Sequence, residues 1–154
     1  MSVKEQTREH IRNVGQLINT FITEMLDRVD AHDASKLVEP EAGVFEVMTA
    51  KLKGSTYGSP EYAAMLAEMK PALDHHYANN RHHPEFHKDG IKGMSLQDLV
   101  EMLMDWKAAT LRHADGDILK SIELNQKRFG YSDELKQVFI NTINEMGVAD
   151  RRAI

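Results

Sequence analysis

The chain has 154 residues, 42% of them hydrophobic and 28% charged, a composition that fits one soluble domain with a real core. It contains no cysteine, so disulfides, thiolate nucleophiles and cysteine-based zinc sites are excluded, and a reducing cytoplasm is the expected compartment. The formal net charge of −5 argues against a binder of long nucleic acid, which needs a basic surface, yet leaves room for a small phosphate held by a cation.

The patterns are helical throughout, with no stretch that alternates as a strand does. Ile11, Val14, Ile18, Phe21, Ile22, Met25, Leu26 and Val29 recur every three or four positions and predict a first helix over 5–29 with one apolar stripe. His10 lies on the edge of that stripe. A break carrying "HDASK" follows, and Pro40 opens a second helix with Phe45, Met48 and Leu52 inward. "KGSTYGS" reads as a loop. Ser59 is placed as an N-cap before Pro60 and a helix through Tyr62, Leu66, Met69 and Leu73, which Pro71 should kink or break. That helix points Leu73, His76 and Asn80 to one side in its last turn. "HPEFHKDGIKG" is a loop. Ser95 and Asp98 form a capping box for a helix through Leu99, Leu103, Trp106 and Thr110. "ADGD" breaks the chain, Asp117 caps "ILKSIELNQKRF", and Gly130 is placed as a C-terminal cap. Ser132 starts a last helix with Leu135, Val138, Phe139 and Met146, ending near Gly147. The expected architecture is all-α, a single compact bundle of about six or seven helices. No apolar run is long enough to span a membrane and the N-terminus has no signal segment, so no membrane partner is expected.

Five of the eight histidines fall within "HHYANNRHHPEFH", from His75 to His87. Elsewhere, His32 and Asp33 are adjacent, and such a pair can ligate one divalent ion if the backbone turns there. Imidazole plus carboxylate suits Mn, Fe, Co, Ni or Zn. Alone the pair is weak, because Asp at a helix boundary is also an ordinary cap. His10 lies about six helical turns upstream, and a long helix followed by a return could bring it back to His32. Asp105 sits in "EMLMDWKAA", costly to bury without a partner, with Glu101 one turn before it.

The order H…HD…D resembles the HD-domain metal-dependent phosphohydrolase superfamily, whose fold is all-α. "HDASK" is similar to the HD-x-x-K version of its HD-GYP branch, and "HHPEFHKDGIKG" resembles that branch's HHE…DG…G segment without the Gly-Tyr-Pro. Over about residues 8–142 the chain also resembles an uncharacterised family of small bacterial and phage proteins, through "HDASKL", "YGSPEY", "HHYANNRHHPEF", "LVEMLMDWKAA" and "RHADGD". The superfamily resemblance implies an HD-like bundle with His10, His32, Asp33 and Asp105 as ligands to a divalent ion, Mg included, and one or two ions per chain. It implies hydrolysis of a nucleotide phosphate ester by a metal-activated water, in the cytoplasm of a bacterial cell or phage-infected host.

Lys36, Arg81 and Arg112 are the candidates to hold phosphate oxygens. His76, His82 and His83 either bind a second metal or handle the leaving-group proton. Ser121, Asn125 and Arg128 share one helical face that could read a base or sugar, although such faces are commonly solvated. His75 and His87 are expected bystanders, and Glu41 is a candidate ligand or base, although a charged first-turn residue of its helix is the commoner case. A phosphodiesterase on a small or cyclic nucleotide is the alternative enzyme reading. A non-catalytic metal- or nucleotide-binding interaction protein is the alternative of another class. Nine methionines, several on apolar faces, permit a homodimer.

Overall fold

The computed structural model describes residues 1–52, 60–112 and 116–149. The expected Ser59 cap, the "KGSTYGS" loop and the first half of "ADGD" lie outside the described residues. Those residues form seven α-helices and no strand: α1 (Val3–Ala31), α2 (Glu41–Leu52), α3 (Pro60–Glu68), α4 (Lys70–Asn79), α5 (Leu96–Thr110), α6 (Ile118–Phe129) and α7 (Asp133–Glu145). Short 3-10 turns fill Ala34–Leu37, Pro84–Phe86 and Gly90–Gly93. No helix of the described residues is long and apolar enough to cross a membrane.

Local chemistry sets the helix limits. Ser2 and Glu5 make a reciprocal capping box at the start of α1, and Ser95 and Asp98 do the same for α5. Asp117 Oδ1 accepts from the Leu119 and Lys120 amides, which starts α6. Gly130, at φ 67°, ends α6 in the left-handed conformation that glycine adopts without strain. The helix expected through Tyr62 and Leu73 divides into α3 and α4 at Met69, with Pro71 in the first turn of α4.

The core sits where α5, α6 and α7 meet. Met102, Leu103, Ile118, Ile122, Tyr131, Phe139 and Ile143 are buried there. The Tyr131 hydroxyl donates to the Ile122 carbonyl, so the one polar group of that cluster's rings is satisfied. Val138 and Met146, read as apolar positions of the last helix, are more than half exposed. Val138 precedes Phe139 and so faces away from the side that packs.

α1 departs most from its expected role. Its apolar stripe forms as predicted, yet no residue of the helix is buried. Among the described residues its C-terminal end docks, running parallel to α5: Gln97 donates to Glu24, and Arg28 donates to Asp98 and Glu101. Residues before Glu24 therefore extend past the start of α5 by about 30 Å.

Asp98 clamps this junction. Its side chain has no exposed surface, and it accepts from Arg28 and Arg81 as well as from Ser95. Burial would push its carboxyl up, but the bonds from Arg81 and Arg28 outweigh burial and hold it far below the usual carboxylate range. The stability that follows is fully present above an ordinary Asp pKa of about 4 and is lost as pH falls through the depressed value. Asp98→Ala should cost about 3 kcal/mol, the lower end for breaking a buried ion pair, measured as a shift in urea unfolding at neutral pH.

Candidate metal centre

The site forms where the end of α1 meets α4, α5 and the turn after α4. His32 ends α1, and Asp33 follows at φ 57°, ψ 11°, the one non-glycine residue of the described chain with positive φ. Asp tolerates this conformation better than most residues, though at some cost. The turn sends the two neighbouring side chains to a common centre, which an extended backbone would not do.

Around Asp33 lie four imidazoles. Asp33 Oδ1 is 3.2 Å from His76 Nε2 and 3.6 Å from His82 Nε2, and His83 Nε2 is 2.9 Å from His76 Nε2. On the other side, His32 Nε2 is 3.7 Å from both Asp33 Oδ2 and Asp105 Oδ1. Asp33, His76, His82 and His83 form one ligand set, and His32, Asp33 and Asp105 another, each with its donor atoms within 4.8 Å of one another. Asp33 belongs to both.

Buried carboxylates orient the rings. Glu41, without exposed surface, holds His76 Nδ1 at 3.0 Å and His75 Nδ1 at 2.6 Å and accepts from Ser35. Glu101 holds His32 Nδ1 at 2.9 Å and His82 Nδ1 at 3.1 Å, and is itself held by Arg28. With Nδ1 held by a carboxylate, His76 and His82 turn their Nε2 atoms towards Asp33 Oδ1. This is the carboxylate–histidine arrangement that orients metal ligands.

The donor set passes a test of fit. Asp33 Oδ1 and His82 Nε2 are both buried and have no hydrogen-bond partner. Two acceptors facing each other at 3.6 Å without a donor are costly unless a cation lies between them. Ligand atoms about 2.0–2.2 Å from one ion are about 3 Å apart in an octahedron and about 3.4 Å apart in a tetrahedron. The observed separations of 2.9, 3.2 and 3.6 Å span those values.

Electrostatics agree. Burial, then the neighbouring His82 and His76, pushes His83 down to about 3 and keeps it a neutral donor. The hydrogen bonds that His32 donates to Asp105 and then to Glu101 push it up to about 10, against burial, so without an ion its ring is charged at neutral pH. Burial raises Asp33, but the nearby His76 ring and the Lys36 ammonium outweigh it and hold it ionised. For Glu101 burial is likewise outweighed by His32 and His82, which bring it down to about 2. Ionised Asp33 and Glu101 carboxylates thus lie among the imidazoles, with His83 kept neutral.

The two sets differ in access. His76 and His82 are 2% exposed, whereas His32, Asp33 and Asp105 are 28%, 18% and 23% exposed. His76 and His82 line the buried side of the inner set, His83 and the shared Asp33 are partly exposed, and the outer set opens further towards solvent. Lys36 stands at that opening, its ammonium 2.6 Å from Asp33 Oδ2 and over the Phe45 ring.

Several expected residues lie elsewhere. His10 does not join the cluster. It and His32 are on one continuous helix, about 33 Å apart at 1.5 Å per residue, and no return brings them together. Arg81 is turned to Asp98, with hydrogen bonds of 2.7 and 3.3 Å, rather than towards Asp33. Asn125 donates back to the Ser121 carbonyl, and Arg128 pairs with Glu85 and Tyr77. Arg128 approaches the histidines only through Tyr77, whose ring lies 4.8 Å from that of His83. Arg112 is exposed past the end of α5. His113 lies outside the described residues. Glu41 and Glu101 gain roles that their local patterns did not indicate, and His75 is a partner of Glu41. His87 Nε2 donates to the Arg81 carbonyl, 2.8 Å away, which braces the turn carrying His82 and His83.

The model of the family described as "Family of unknown function (DUF5662)" matches residues 1–146, and the chain belongs to that family. No curated protein and no solved structure matches it.

The orienting role of Glu41 is open to measurement. Glu41→Gln should leave the ligands in place and weaken binding of Zn2+ or Mn2+ by about 10–100-fold, read by calorimetric titration of chelator-treated protein. Unchanged affinity would mean that Glu41 does not orient a ligand.

Proposed function

We propose that this protein is a metal-dependent phosphohydrolase acting on the phosphate ester of a small nucleotide. The observation that carries the reading is the Asp33 carboxylate, shared between a nitrogen-rich ligand set and a more exposed one, with one buried oxygen lacking any donor. The resemblance of His32, Asp33 and Asp105 to the HD pattern supports it, with His10 left out of the ligand set.

In this reading Asp33, His76, His82 and His83 hold an inner divalent ion, of Mn, Fe, Co, Ni, Zn or Mg. His32, Asp33 and Asp105 offer the outer, solvent-facing place. A bound ion supplies Lewis-acid polarisation of the phosphoryl group and lowers the pKa of water. The protein's own contribution is positional. Glu41 and Glu101 fix the imidazoles, so little reorganisation is needed when charge builds on phosphorus. The partial exposure of His32 and Asp105 lets a phosphate approach from one side. Lys36, already neutralising Asp33 Oδ2, is the cation closest in place to a phosphate oxygen there. Arg81, engaged by Asp98, is left out of substrate binding.

A second reading has its own support. The inner set alone provides four protein ligands, the number that fills a structural metal site, while Lys36 already neutralises the outer oxygen. In that case the ion stabilises the junction of α1, α4 and α5 without turnover.

A screen of nucleotide monoesters and diesters against Mn, Co, Ni, Mg and Zn separates these readings. The hydrolase reading expects phosphate release from at least one monoester, and Asp33→Ala should abolish it with helical content unchanged by circular dichroism. Cleavage of diesters only would move the assignment to a phosphodiesterase. Lack of turnover on every substrate, with a chelator lowering Tm, would leave the structural role.

A further inference from the structure

We propose that the chain forms an antiparallel homodimer through the apolar stripe of α1. This inference is independent of the metal chemistry. Ile11, Val14, Ile18, Ile22, Leu26 and Val29 are between 39% and 69% exposed, along a helix that buries none of its residues. The stripe is about 27 Å long at 1.5 Å per residue. Contiguous apolar surface of that extent marks an interaction site on a protein that must stay soluble. Helical stability in water also depends on packing of an amphipathic face, and among the described residues none buries any of the first 20 or so residues of α1.

The sequence of the stripe selects a second copy as its occupant and fixes the register. Antiparallel pairing sets Ile11 against the partner's Val29, Val14 against the partner's Leu26, and Ile18 against the partner's Ile22. Three apolar pairs repeat by symmetry as six, with none left over. The same register sets Arg8 and Arg12 on either side of the partner's Asp30. All three are exposed, and Arg12 and Asp30 lie about five turns apart on one edge of the stripe. A parallel pair at equal heights sets Arg12 level with the partner's Arg12 and Asp30 level with the partner's Asp30, and loses this complementarity. Antiparallel pairing also keeps the two globular bodies, attached at Glu24–His32, at opposite ends of the pair. The partner's first turns then reach the level of a cavity of about 240 Å³ between α1 and α5, lined by Met25, Val29 and Met104 and ending at His32 and Asp105. A second copy would border the approach to the outer ligand set.

Analytical ultracentrifugation and disulfide trapping test this directly, since the chain has no cysteine of its own. Wild type should sediment at twice the chain mass. Ile18→Glu, on an exposed position, should raise the dimer dissociation constant by about 100-fold or more without loss of helix. The double variant Val14→Cys/Leu26→Cys should oxidise to a covalent dimer, because the two positions are about 18 Å apart within one helix and cannot bridge internally. Neither single variant should cross-link efficiently. A monomeric wild type, whatever other protein then covers the stripe, or efficient cross-linking of Val14→Cys alone, would overturn the proposal.

Discussion

The structure depends on how Asp33 is held. Its backbone turns through a left-handed conformation immediately after α1, which lets His32 and Asp33 face one centre from consecutive positions. Its Oδ1 points into a nest of imidazole nitrogens and its Oδ2 meets Lys36 and His32. A buried carboxylate oxygen without a donor costs free energy, and a left-handed Asp adds to that cost. Such costs persist at functional sites, where a ligand or a reaction compensates for them.

The remaining architecture supplies the surroundings of that residue. α4 contributes His76, the turn after it His82 and His83, α5 Glu101 and Asp105, and α2 the buried Glu41. Asp98 joins Arg28 of α1 to Arg81 beyond α4, so the elements that carry ligands are tied together outside the ligand shell. The α5–α6–α7 core provides the rigid platform, with Met102 and Leu103 packed one turn from Glu101 and Asp105 on the same helix. A centre built this way across four elements forms only when the bundle does, so metal binding and folding should be linked.

Much of this was legible in the chain. The helix caps at Ser95, Asp117, Gly130 and Ser132 act locally, and the break near Pro71 follows from proline's geometry. His32, Asp33, Asp105, His76, His82 and His83 could be selected by residue type and order, and they converge. His10 could not be rejected from sequence, because a pattern of ligand types does not say whether a helix continues or turns back. Here α1 continues to Ala31 and keeps the two histidines apart. Glu41 meets His75 and His76 across more than thirty residues, a contact with no local signature, so it read as a first-turn charge. Arg81 read as a free cation because its partner Asp98 already had a local role as a cap. The stripe of α1 shows the same limit: amphipathic spacing marks an apolar face but not the body that covers it.

The central claim is that Asp33 is the shared ligand of a metal centre. Anomalous diffraction from crystals grown with Mn2+ or Zn2+ tests it most directly. The account predicts a peak about 2.0–2.2 Å from Asp33 Oδ1 and the Nε2 atoms of His76 and His82. A second peak between His32, Asp33 and Asp105 would mark the outer place. Anomalous density confined to other parts of the surface, with Asp33 Oδ1 bonded to water or a protein donor, would contradict it.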